Sequence, residues 1–83
     1  MRLLYFAWVR QKIGTGEEQM TLPADVKTIF ELMEYLRQRG AGYADAFGDT
    51  KRLRSAVNQE HASPASEICD EDEIAFFPPV TGG

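Results

Sequence analysis

Apolar residues recur along this chain at two different periods. Leu3 to Val9 is almost continuously apolar and aromatic, which predicts a strand with apolar side chains on both faces. Arg10 to Gly16 is polar and contains Gly14 and Gly16, which are free to take positive φ, so it predicts a hairpin loop. Glu17 to Leu22 predicts a second strand of imperfect alternation, ended by Pro23. The period then changes. Ile29, Leu32, Met33 and Leu36 fall on one face of a helix. Thr28-x-x-Glu31 is a capping box, in which the hydroxyl accepts from the Glu31 amide and the carboxylate reaches back. Gly40 suits the position just past the helix, and Arg37 and Arg39 complement its dipole end. Tyr43, Ala44 and Phe47 predict a short helical turn. Leu53 to Asn58 predicts a strand, Gln59 to Ala62 a turn or short strand, and Pro64 with Ser66 a loop. Asp70-Glu71-Asp72 is a polar turn before a last strand, Glu73 to Phe77. The order of elements is α+β, with no internal repeat and no low-complexity segment.

One helix covers only one face of a small sheet, and charged residues mark the face left over. Arg2 shares its register with Leu4, Phe6 and Trp8, and Glu73 shares its register with Ala75 and Phe77. With charge taken as the mark of solvent, Leu4, Phe6, Trp8 and Phe77 point away from the core, while Ile74 and Phe76 point into it. An apolar patch of that size is expected to be a partner interface, unless a loop or the second helical turn covers it.

The 83 residues bound a single small domain, and 43% hydrophobic content with nine aromatics argues for a folded chain. No apolar run approaches a membrane span, and Met1-Arg2-Leu3-Leu4 does not open a signal peptide. A single cysteine makes no internal disulfide. These features fit a cytoplasmic protein with no membrane partner. Charge is unevenly spread: residues 1–54 carry all nine Lys and Arg with seven acids, and residues 55–83 carry six acids and no base. An acidic half argues against nucleic acid and favours a partner with a basic surface, or else serves solubility.

Catalytic chemistry is sparse. His61 is the only histidine, has no Cys or Ser partner near it in sequence, and is expected at the surface or at the partner interface. Cys69 lies beside Asp70 and Glu71, which should raise its pKa and blunt its reactivity. Asp70 to Glu73 lacks the glycine of a calcium loop, and no metal site, phosphate loop or triad is expected. The informative segment is the end, Phe76-Phe77-Pro78-Pro79-Val80-Thr81-Gly82-Gly83. Pro78 and Pro79 are stiff, and Gly82 and Gly83 lack the Cβ atoms that would block a narrow channel. On the residues alone, such an end is either a frayed terminus or a carboxylate built to enter a partner's active site.

Three segments carry a resemblance. Tyr5-Phe6-Ala7-Trp8-Val9-Arg10, Ala56-Val57-Asn58-Gln59 and Asp72 to Gly83 fall in an order and spacing that resembles the small subunits of molybdopterin synthase (the MoaD type), which are ubiquitin-like sulfur carriers. The resemblance implies a β-grasp (ubiquitin-like) fold, a mixed sheet of about four to five strands with one main helix packed on one face. It divides the chain into a domain over 1–77 and a flexible tail over 78–83. It also implies that Gly83 is the reactive residue, adenylated by a ubiquitin-activating-type enzyme that uses ATP and then converted to a thiocarboxylate. Gly82, Thr81, Val80, Pro79 and Pro78 would form the tail, and Phe77, Phe6, Leu4, Trp8 and His61 the interface with the large subunit in a heterotetramer. The sulfur would go to cyclic pyranopterin monophosphate, with no resident cofactor and no catalysis by this chain alone. A sulfur carrier for thiamine thiazole or tRNA thiolation, and a ubiquitin-like modifier, are the alternatives.

Overall fold

Alternation along the last strand sets the two sides of the molecule. In β5 (Glu73–Phe77), Ile74 and Phe76 are fully buried while Glu73, Ala75 and Phe77 are half-buried on the other side. The structure, a computed structural model, describes residues 1–79. Ahead of β5 come β1 (Arg2–Tyr5), α1 (Ala7–Ile13), β2 (Glu17–Gln19), α2 (Ile29–Arg37), α3 (Ala41–Ala46), one turn of 3₁₀ helix (Thr50–Arg52), β3 (Arg54–Val57) and β4 (Glu60–Ala62). The five strands form one mixed sheet in the order β2-β1-β5-β3-β4, with β5 central and parallel to β1. Leu3, Tyr5, Ile74 and Phe76 from the sheet bury against Ile29, Leu32, Met33 and Leu36 of α2 and against Phe47. This is the β-grasp arrangement expected.

The capping box at the start of α2 forms with one shift. The Thr28 hydroxyl accepts from the Glu31 amide at 3.2 Å, but the Glu31 carboxylate accepts from the Lys27 amide at 2.8 Å, one residue before the cap. Gly40 does not take the position past the helix. Gln38 closes α2 in a right-handed conformation, and the chain runs on through an extended Gly40 into α3, so no left-handed turn is needed. The short helix around Tyr43 and Ala44 is present as α3.

The first strand is shorter than the apolar run suggests. Only Arg2–Tyr5 is strand, and Ala7–Ile13 is a helix where a strand end and a hairpin loop were expected. Ala7 turns the chain at φ 54°, and Val9 is buried with Ile13, four residues on, packed beside the core. That spacing is helical, and Arg10, Gln11 and Lys12 between them are good helix formers. Gly14 ends the helix at φ 96°, its N–H donating to the Arg10 carbonyl at 2.8 Å. Gly42 of α3 is required for a different reason: a Cβ there would run into the Lys12 carbonyl of α1.

β3 and β4 are joined by Asn58 and Gln59 at φ 51° and 71°, the geometry of a tight two-residue hairpin turn. Asn58 also donates to Asp72 and accepts from the Glu73 amide, both at 2.9 Å, which ties this hairpin to the start of β5. The acidic turn before β5 is used structurally. Asp70 accepts from the Leu22 amide at 2.7 Å and from the N-terminal ammonium at 3.4 Å, and Asp72 accepts from the Cys69 amide at 2.8 Å. These donors pull both carboxyls below their ordinary range, the backbone amides of Leu22 and Cys69 contributing most. A carboxyl depressed in the folded state contributes stability that is present above the unfolded pKa of about 3.9 and lost as pH falls through the lower folded value. The thermal unfolding midpoint should therefore drop below about pH 4. Asp72→Asn should flatten that drop in a pH series of melting curves; an acid limb as steep as the wild type's would place the sensitivity elsewhere.

Candidate functional site

The sheet has one face covered by α2 and a second face read from the strand registers. Across that second face run two rows. In the first, Gln19, Arg2 and Glu73 are paired across β2, β1 and β5. Arg2 donates to Glu17 at 2.8 Å and to Glu73 at 3.1 Å, and the Glu17 hydrogen bond, ahead of either acid's charge, holds its guanidinium further above its ordinary pKa. In the second row, Leu4 of β1 pairs with Ala75 of β5, Ala75 with Ala56 of β3, and Ala56 with His61 of β4. The two alanines are small, so the middle of the face is a shallow floor between larger side chains.

Beyond this row lies the end of β5. Phe76 points inward, stacked on Tyr5 at 6.3 Å between ring centroids and set edge-on to Phe47 at 4.9 Å. Phe77 points outward and meets the His61 ring edge-on at 5.8 Å. Phe6 follows the Tyr5–Phe76 pair in extended conformation, donates its N–H to the Phe76 carbonyl at 3.1 Å, and is 49% exposed. Pro78 and Pro79 follow Phe77 directly, both half-buried. Pro78 and Pro79 thus follow the central strand at the end of a half-buried apolar row, with Phe6 exposed beside it. Val80, Thr81, Gly82 and Gly83 lie outside the described residues.

Three residues expected on this face, Leu4, Phe77 and His61, are brought to it by the registers of β1, β5 and β4, and Phe6, one residue past β1, is exposed and bonded through its N–H to the Phe76 carbonyl. Trp8 is not brought to this face. The helical turn at Ala7 lifts it off the sheet onto α1, where it packs beside the core under the Arg52 guanidinium, 5.0 Å from the ring centroid. Sequence reasoning did not find Arg54, the cross-strand partner of Phe77, nor Ala56. Their signal was present as alternation in Arg54-Ser55-Ala56-Val57, but only the strand pairing aligns it with β5. Phe30 and Tyr35, 51% and 38% exposed on α2, were likewise not singled out.

The chemistry of the described side chains is passive. Cys69 is exposed, and its thiol pKa is raised chiefly by its hydrogen bond to the Glu71 carboxylate, as its acidic neighbours implied. Asp70 and Asp72 already accept backbone N–H groups, and among the described residues no cluster of His, Cys, Asp and Glu is placed to hold a metal ion. The Tyr5 hydroxyl is buried without a hydrogen-bond partner among the described residues, and burial pushes its phenol pKa far up. Glu18 holds the neighbouring polar cluster, accepting from both Arg39 and the Tyr43 hydroxyl. Among the described residues no helix is long and apolar enough to cross a membrane.

Residues 3–83 match the ThiS family. Over 83 aligned residues the chain is 40% identical to the molybdopterin synthase sulfur carrier subunit of Escherichia coli (strain K12), covering all of this chain and 99% of that protein. It is also 40% identical to the protein of the same name from Haemophilus influenzae, with the same coverage. Its fold is similar to the crystal structure of SAMP1 from Haloferax volcanii, at a TM-score of 0.72 and 23% identity, covering 100% of this chain and 98% of that one.

Proposed function

The chain belongs to the ThiS family, and from that premise we propose that it is the sulfur carrier subunit of molybdopterin synthase, with Gly83 as the residue that bears the sulfur. The observation that carries this reading is the junction at Phe77. The last strand of the sheet is central, its outward side chain lies half-buried on the face away from α2, and Pro78-Pro79 follows it directly in a sequence that ends in Gly82-Gly83. Docking of that face fixes where the tail begins. The six residues from Pro78 can then reach roughly 20 Å when extended, enough to enter a buried site.

In this reading the carrier is not a catalyst. A ubiquitin-activating-type enzyme adenylates the Gly83 carboxylate with ATP, releasing pyrophosphate and making an electrophile from an inert group. A sulfur nucleophile displaces AMP and leaves a thiocarboxylate. The large subunit of molybdopterin synthase then takes up the tail, and sulfur passes to cyclic pyranopterin monophosphate. Pro78 and Pro79 restrict the free tail and so reduce the entropy lost when it is ordered. Thr81, Gly82 and Gly83 are slim enough for a narrow passage. Two carriers and two large subunits form a heterotetramer in the cytoplasm, and no cofactor resides in this chain. The test is reconstitution. The chain in thiocarboxylate form, with the large subunit and cyclic pyranopterin monophosphate, should yield molybdopterin. Sulfur delivered instead only to a thiazole precursor or to tRNA would assign the carrier to another pathway.

A further inference from the structure

The two ends of β5 carry opposite charge. At its start Glu73 follows Asp70, Glu71 and Asp72, and the nearby Arg2 is spent on Glu17 and Glu73. At its other end Phe77 pairs with Arg54, which follows Lys51 and Arg52 of the 3₁₀ turn. The separation is about 13 Å along the strand. All three basic side chains are exposed, and among the described residues none of them is in an ion pair. The two arginines are ordered by other contacts. Arg54 Nη1 donates to the carbonyls of Leu53 and Lys51 at 2.9 and 3.4 Å, and Arg52 lies over the Trp8 ring. The nearest acid in sequence, Asp49, accepts from the Lys51 amide at 3.2 Å. The acidic second half of the sequence therefore does not make the tail's exit acidic: folding brings bases from the first half beside it.

We infer that Lys51, Arg52 and Arg54 form a basic rim that receives acidic side chains of the partner on which Phe77 docks. The inference rests on the reading above, in which that partner is the large subunit. Cations held by carbonyls and a ring are pre-ordered yet keep their charge available, so pairing across an interface costs them little further freedom. Three such bases on a chain of net charge −4 are too few to hold a nucleic acid backbone, whereas a protein rim needs only a few complementary charges. The acidic and basic ends together make a dipole along β5, which turns the tail end toward an acidic docking face before contact.

Rim charges act on association rate and salt dependence, whereas a buried anchor acts on dissociation. The experiment is surface plasmon resonance of the full chain against the large subunit of molybdopterin synthase from the same organism, at low and at physiological ionic strength. Lys51→Glu combined with Arg54→Glu should slow association about tenfold at low salt and flatten its salt dependence. Arg54→Lys should stay close to wild type. Arg54→Gln, which removes charge without reversing it, should slow association about threefold and covers the case in which the double variant fails to fold. Wild-type binding with unchanged association in folded charge variants overturns this inference and leaves the sulfur-carrier reading standing. No binding by the wild type overturns that reading and this inference with it.

Discussion

Deletion of Gly83, or addition of residues after it, should abolish sulfur transfer while leaving the melting curve of the domain unchanged. Among the described residues the last strand ends at Phe77, whose partner Arg54 begins β3, and the core is built from residues between Met1 and Phe76. In the proposed mechanism the chemistry depends entirely on Gly83. Deletion moves the reacting carbonyl one residue back, by about 3.5 Å, and extension turns the carboxylate into an inert amide. A near-attack geometry tolerates much less than that displacement, since a misplacement of about 1 Å can cost a hundredfold. Molybdopterin formation by an extended chain that has not been processed back to Gly83 would contradict the assignment.

Phe76→Ala and Phe77→Ala should fail in opposite ways. Phe76 has no exposed surface and sits between Tyr5 and Phe47, so truncating it leaves a cavity lined by aromatic rings. The expected cost is about 3–5 kcal/mol of folding stability. Phe77 is half-buried on the other face, in contact with His61. Its truncation should leave folding close to wild type and weaken assembly with the large subunit by roughly 30-fold, the loss of about 2 kcal/mol typical of a central aromatic anchor. Denaturant titration and binding measured on both variants separate the two roles. A Phe77→Ala chain that binds normally would remove the open face from the account.

The sequence was most legible where a period was sustained. Ile29, Leu32, Met33 and Leu36 gave the helix and its buried side, and Thr28 gave its start. Ile74 and Phe76 against Ala75 and Phe77 gave the two sides of the last strand without any structure. The reading failed between Ala7 and Ile13, because the apolar run Leu3 to Val9 does not mark where the strand ends, and Arg10, Gln11 and Lys12 match a polar loop as well as the exposed side of a helix. The decisive element there, a left-handed turn at Ala7, is carried by a residue that does not advertise it. Trp8 was misplaced for the same reason. The site was legible in part: the apolar row needed only alternation within β1 and β5, and the tail needed only its composition. The basic rim was not legible, because it depends on β3 pairing antiparallel with β5, so that Arg54 lies opposite Phe77 across 23 residues of chain. A charge count by halves of the sequence does not show which charges lie beside Phe77.

The central claim is that the reactive group of this protein is its own terminus. Intact-mass spectrometry of the chain, after incubation with its activating enzyme, ATP and a sulfur source, tests that claim most directly. The account predicts a single mass shift corresponding to exchange of one oxygen for sulfur. The shift should be lost on Gly83-deleted chains, persist on chains whose Cys69 thiol was alkylated beforehand, and localise to Gly83 on fragmentation. An unchanged mass, or lysine-linked adducts on other proteins in place of the thiocarboxylate, would contradict it.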